Sequence, residues 1–162
     1  MRAVVLTVSD RVSAGEAIDV SGPAAAALLE GLGFSASVRV VPDGIESVAD
    51  FLRAAVAEGV PLVVTTGGTG FAPRDVTPEA TRLVIDRPAP GLVEAMRSAT
   101  FGTNPHGMLS RGEAGMCGAT LIINLPGSVR GVEESLRVIG PALSHGLALL
   151  RSDETDHGPT PP

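Results

Sequence analysis

Pro61-Leu62-Val63-Val64-Thr65-Thr66-Gly67-Gly68-Thr69-Gly70 runs a short β-prone segment straight into three glycines in four positions. An apolar run without polar alternation reads as a strand buried on both faces, and glycine lets the chain turn sharply out of it. Phe71-Ala72-Pro73-Arg74-Asp75-Val76-Thr77-Pro78-Glu79-Ala80-Thr81 follows, so a cation, a carboxylate and a helix start come after the loop in fixed order. Thr77 is expected as the N-cap and Pro78 as the first residue of a helix from Pro78 to Ile85. Successive free N–H groups in such a turn form an anion-binding concavity, with phosphate the natural occupant. Glu79 at the helix start would repel an anion, which places the phosphate over the glycines.

The same strand signature recurs upstream. Ala3 to Val8 is a continuous apolar run that enters a polar loop at Ser9-Asp10-Arg11. Gly22-Pro23 opens a helix from Ala24 to Leu32, which Gly33 stops. Phe34 to Val41 is a second strand closing on the turn Pro42-Asp43-Gly44. Ile45 to Glu58 carries apolar residues at three-and-four spacing and ends at Gly59, an amphipathic helix. Strand, helix, strand, helix, strand with short joints requires a parallel sheet covered on both faces. The fold class is therefore α/β, a three-layer α/β/α arrangement with a mostly parallel central sheet. Ligands in such sheets gather beyond the strand C-termini, where Asp10, Asp43 and the loop from Gly67 to Asp75 should converge.

Downstream, Gly91 to Ala99 reads as a helix and Phe101 to Gly107 as a loop. Gly112 to Leu125 reads as a late antiparallel hairpin turning at Gly118. Gly131 to Leu150 is a final helical region that Gly140-Pro141 must kink or split, because Pro lacks the N–H and clashes with the preceding turn. Residues 1–151 are expected to form a single domain and 152–162 a disordered tail.

The chain has 162 residues, close to the prior of roughly 150 per domain, and can bury about two thirds of its unfolded surface without a disulfide or structural metal. Its 12 basic residues are all Arg, so neither a Schiff-base lysine nor a Walker lysine exists. His106, His145 and His157 are far apart and Cys117 is the single cysteine, which leaves metal chemistry to carboxylates. The net charge of −6, with no basic run and no aromatic stacking platform, argues against nucleic acid as a partner. No apolar run reaches the roughly 18 residues of a membrane span, and the apolar stretch of residues 1–9 is too short for a secretory signal. A cytoplasmic protein is expected.

The glycine-loop segment resembles that of the molybdopterin adenylyltransferase family, whose fold also recurs in molybdenum-insertion proteins. The resemblance extends in order through Ser9-Asp10-Arg11, Asp19 with Ser21-Gly22, Pro42-Asp43, Thr66 to Ala80, Leu109-Ser110-Arg111 and Asn124-Leu125-Pro126-Gly127-Ser128. It implies a magnesium-dependent transfer of AMP from ATP to the terminal phosphate of molybdopterin, with pyrophosphate released. It also implies a homotrimer that could serve a downstream molybdenum-insertion protein. Two aspartates essential in that family map onto Asp43 and Asp75; a related branch lacks the second.

The chemistry follows from the residues as well. AMP transfer joins two anionic partners, so neutralisation and in-line positioning supply most of the catalysis. Mg²⁺ prefers one or two carboxylates with phosphate oxygens and water, a set that Asp43 and Asp75 could complete. Expected nucleotide and pterin contacts are Ser9, Asp10, Thr66, Gly67, Gly68, Thr69, Gly70, Arg74, Thr77, Ser110, Pro126, Gly127 and Ser128. Asp10 reads also as a structural hydrogen-bonder, Asp43 as a plain turn residue, Asp75 as a helix-entry turn residue or partner of Arg74, Ser110 as a structural loop residue, and Ser128 equally as a helix cap or a phosphate contact. A non-catalytic molybdopterin carrier and a nucleotide pyrophosphatase are the competing readings.

Overall fold

A six-stranded sheet in the order β2-β1-β3-β6-β5-β4 organises residues 1–151, which the computed structural model describes. The tail expected at 152–162 lies outside the described residues. The strands are β1 (Arg2–Val8), β2 (Ser35–Val41), β3 (Leu62–Thr66), β4 (Arg87–Pro88), β5 (Ala114–Cys117) and β6 (Thr120–Leu125). β1 pairs in parallel with β2 and β3, and β3 with β6. β5 runs antiparallel to both β6 and β4, so the expected late hairpin is present and turns at Gly118.

Side-chain alternation along the central strands feeds two cores. Ala3, Val5, Leu62, Val64, Leu121 and Ile123 face α2 (Ser21–Gly31), α5 (Pro90–Ser98) and α6 (Val129–Arg151). Leu6, Val8, Val63 and Ile122 face α3 (Ile45–Ala57) and α4 (Thr77–Arg82). Val48, Ala49 and Leu52 of α3 are fully buried, matching the expected apolar stripe. Each buried Val or Leu stabilises by about 1.5–3 kcal/mol, so this face alone holds α3 to the sheet. The three-layer α/β/α architecture is as the strand and helix patterns imply.

Several local readings are corrected. A four-residue helix, α1 (Asp10–Ser13), occupies the expected first loop because the Ser9 hydroxyl accepts the Val12 N–H at 3.3 Å. α2 starts at Ser21, before the Gly-Pro pair, because the Asp19 carboxylate accepts the Gly22 N–H at 2.9 Å. β4 was not legible as a strand, and residues 105–109 form a 3₁₀ turn within and beyond the expected loop. α4 begins at Thr77 with Val76 as N-cap; the Thr77 hydroxyl does not cap but donates to the Gly67 carbonyl at 3.0 Å. α6 is one helix of 23 residues through Pro141 and is not split. Val132, Leu136, Ile139, Leu143 and Leu147 form one buried stripe across the proline, and that continuous burial outweighs the single lost N–H. No helix among the described residues is long and apolar enough to cross a membrane.

Candidate active site at the carboxyl edge of the sheet

Parallel strands β1, β2, β3 and β6 end on one edge, and β5 begins there, so five sequence-distant loops meet. β1 lies between β2 and β3, the point where the strand order reverses and a crevice opens beyond the strand ends. Gly67 follows β3 at that edge. It adopts φ +101°, and a Cβ there would stand 2.4 Å from the Val8 carbonyl oxygen. On its other side a Cβ on Gly127 would come within 3.1 Å of Gly67 Cα. The Thr66 hydroxyl donates to the Pro126 carbonyl at 2.8 Å, tying the same two loops together. These glycines permit close backbone packing, while Gly68 to Gly70 border a cavity.

Within that loop the carbonyls are used and the amides are not. Gly68 O accepts the Thr77 N–H at 3.0 Å and Thr69 O accepts the Arg111 N–H at 2.9 Å. Among the described residues no protein acceptor takes the N–H of Gly68, Thr69 or Gly70. Charge-assisted bonds from such amides are worth roughly 1.5–3 kcal/mol each, enough for three to hold an anionic group without a lysine.

Two carboxylates lean on this loop. Asp43 Oδ1 lies 3.4 Å from where a Cβ on Gly68 would stand, and Asp75 Oδ2 lies 2.8 Å from the corresponding point on Gly70. Asp43 Oδ2 accepts the Asp10 N–H at 2.8 Å, and Asp10 Oδ1 accepts the Asp43 N–H at 3.1 Å. This reciprocal pair clamps the ends of β1 and β2. Arg74 crosses from the glycine loop to Asp10 Oδ2 at 2.6 Å and to the Asp43 carbonyl at 2.9 Å. Asp75 Oδ2 accepts the Ala72 N–H at 2.9 Å and closes the turn after the glycines. Asp43 and Asp75 thus each keep one oxygen, Oδ1, without a protein donor among the described residues. Two oxygen donors beside free amides suit a hard divalent cation that brings phosphate and water ligands with it. No group of three acidic, His or Cys side chains among the described residues would enclose such an ion alone.

A cavity of about 380 Å³ extends from the loop between α5 and α6. Gly68 to Gly70, Asp75, Ser110 and Pro126 to Ser128 line it, whereas Ser9, Asp10, Asp43, Thr66, Gly67, Arg74 and Thr77 do not. Thr77 is fully buried and serves the loop's backbone. Ser128 does cap α6, its hydroxyl accepting the Gly131 N–H at 3.1 Å, and it also faces the cavity. Ser110 borders the cavity while its carbonyl accepts from Arg97 at 3.3 Å.

Arg111 is the residue whose work the sequence did not reveal. Its Nε donates to the Gly70 carbonyl at 2.8 Å, and its terminal nitrogens reach the Asp75 carbonyl and both oxygens of Glu79. One guanidinium therefore fixes both ends of the turn from Gly70 to Asp75 and neutralises the carboxylate expected to repel an anion. Hydrogen bonding to Arg111 holds the Glu79 carboxyl below its ordinary 4.5. The folded carboxyl binds its proton less tightly than the unfolded one, so the pair adds stability above about pH 4.5, and this contribution disappears as pH falls through the lowered value. Urea denaturation midpoints across the acid range should accordingly fall less steeply below that pH in Glu79→Gln than in the parent. Parallel curves would refute the coupling.

Comparison with known proteins gives the family. The sequence pattern of the family described as "Probable molybdopterin binding domain" matches residues 4–145. Gephyrin of Dictyostelium discoideum is 44% identical over 159 residues, covering 91% of this chain but 22% of its own length. A molybdopterin adenylyltransferase of Helicobacter pylori strain J99 is 40% identical over 152 residues, covering 90% of this chain and 85% of its own. A solved MogA structure superposes with a TM-score of 0.89 at 44% identity, covering 93% of this chain and 99% of that one. The chain spans only 22% and 49% of the first two curated relatives it matches.

Proposed function

The chain belongs to the molybdopterin-binding-domain family, and from that membership we propose that it acts in molybdenum cofactor biosynthesis as a molybdopterin adenylyltransferase. In this reaction a terminal phosphate oxygen of molybdopterin attacks the α-phosphorus of ATP. The new P–O bond forms as the bond to the β-phosphate breaks, and pyrophosphate leaves. The observation that carries the reading is the set of free amides at Gly68, Thr69 and Gly70, flanked by Asp43 Oδ1 and by Asp75.

Each residue has a part that its surroundings allow. The glycine-loop amides bind and orient phosphate oxygens without reorganising, because Thr77 and Arg111 already hold the loop's carbonyls. Gly127 and Ser128, just before α6, line the cavity with N–H groups that no protein acceptor takes among the described residues, suited to the acceptor phosphate. Asp43 and Asp75 would hold Mg²⁺, which when bound neutralises the phosphates and polarises the reacting one. Asp10 and Arg74 hold Asp43 in place, Asp10 through the reciprocal pair and Arg74 through the Asp43 carbonyl.

Purified protein supplied with molybdopterin, ATP and Mg²⁺ should release pyrophosphate, and omission of either molybdopterin or Mg²⁺ should stop it. Release from ATP alone would establish the pyrophosphatase reading instead. Pterin binding without any release would establish a carrier.

A further inference from the structure

The cavity is lined by a carboxylate that the proposed chemistry does not use. Glu134 sits on α6, facing the cavity beside the buried Ser135, and Val93 and Met96 of α5 supply an apolar wall. Its Oε1 accepts from Arg130 at 2.7 Å, an exposed pairing of the kind worth about 1 kcal/mol or less. Its Oε2 has no protein donor among the described residues. Glu134 lies six positions after Ser128, roughly 9 Å along a helix at 1.5 Å per residue.

An ionised carboxylate only accepts hydrogen bonds, so its ligand must present donors. The adenine ring offers no edge with two adjacent donors; its single amino group is always next to a ring nitrogen that accepts. A 2-amino-4-oxopteridine offers N3–H and the 2-amino group side by side, the pattern that a carboxylate binds in bidentate fashion. The apolar wall suits the face of such a flat ring, and the spacing along α6 suits a ring joined by a short arm to a phosphate.

We propose that Glu134 is the specificity-determining residue for the pterin ring, accepting from N3–H and the 2-amino group while α6's N-terminus holds the phosphate. The proposal rests on the pterin-binding half of the function proposed above and not on AMP transfer. It also assigns the adenine of ATP to space outside the α5–α6 cavity.

The test compares binding of a 2-amino-4-oxopteridine monophosphate with its 2,4-dioxo counterpart, which turns an acceptor toward the carboxylate. Fluorescence titration of the parent protein should favour the 2-amino ligand at least tenfold. Glu134→Gln should bring that ratio to within threefold of unity by weakening the 2-amino ligand. A general loosening of the fold would weaken both ligands alike and leave the ratio standing, which would overturn the assignment. Failure of the parent protein to discriminate, or to bind either ligand, would overturn it without any variant. Discrimination without pyrophosphate release would remove the transferase reading and keep Glu134; release without discrimination would do the reverse.

Discussion

Asp75→Asn is expected to lower the rate of pyrophosphate release by roughly 10²–10³-fold at saturating substrates, the scale on which a preorganised charge acts in phosphoryl chemistry. The substitution separates charge from structure. Asn retains an oxygen acceptor for the Ala72 N–H, and the Asp75 carbonyl held by Arg111 is untouched, so the turn should keep its shape. What disappears is the negative charge that would grip a divalent ion beside the glycine-loop amides. Initial rates of pyrophosphate formation, run beside fluorescence titration with molybdopterin, check it. Pterin affinity should stay within about threefold, because the contacts proposed for the ring and its phosphate lie along α6. Turnover within a few-fold of the parent would remove Asp75 from the reaction.

Gly67→Ala is expected to destabilise the fold by about 3 kcal/mol, combining strain at positive φ with overpacking. The new Cβ would stand 2.4 Å from the Val8 carbonyl oxygen, a backbone atom at the end of β1 where Val8 pairs with Val41 of β2. At roughly 2–4 °C per kcal/mol for a domain of this size, the melting temperature should fall by about 6–12 °C. Gly33→Ala makes the comparison decisive: Gly33 also has positive φ, +87°, but nothing lies within 4 Å of its Cβ position. Its loss should be about 1 kcal/mol, the conformational part alone. Equal losses at the two positions, read by thermal denaturation, would show that close approach to Val8 contributes nothing.

The fold was legible where burial follows local spacing. Leu62 to Thr66 is buried at every residue, and the stripe of α3 is buried at Val48, Ala49, Leu52 and Ala55, while Ile45 at the helix start is exposed and Val56 half-buried. Readings failed where a distant partner overrode a local rule. Thr77 has the residue type and position of an N-cap, but its hydroxyl is taken by the Gly67 carbonyl ten residues earlier. Pro141 carries a local helix-breaking signal, yet the stripe from Val132 to Leu147 packs as one surface. Asn124, quoted as part of a motif, is a buried linker whose amide donates to Thr65 and Thr81 at 3.0 and 2.9 Å. Glu134 was singled out by no motif; it pairs with Arg130 four residues before it, and only the position of α5 turns it into a cavity wall.

From composition and order alone, an α/β sheet was already required. The expectation of an anion site on main-chain N–H groups at its carboxyl edge came from the same reading, since no lysine exists to replace them. Periodicity encodes which side of an element meets water, and strand direction then dictates which loops share an edge. Tertiary structure alone decided that Asp10 and Asp43 exchange backbone hydrogen bonds, that Arg111 braces the turn from Gly70 to Asp75, and that α5 and α6 leave a cavity beside the glycines. These contacts join residues more than thirty positions apart or depend on how two helices seat on one face of the sheet. Their geometry is set by strand order and packing, quantities that no local spacing contains.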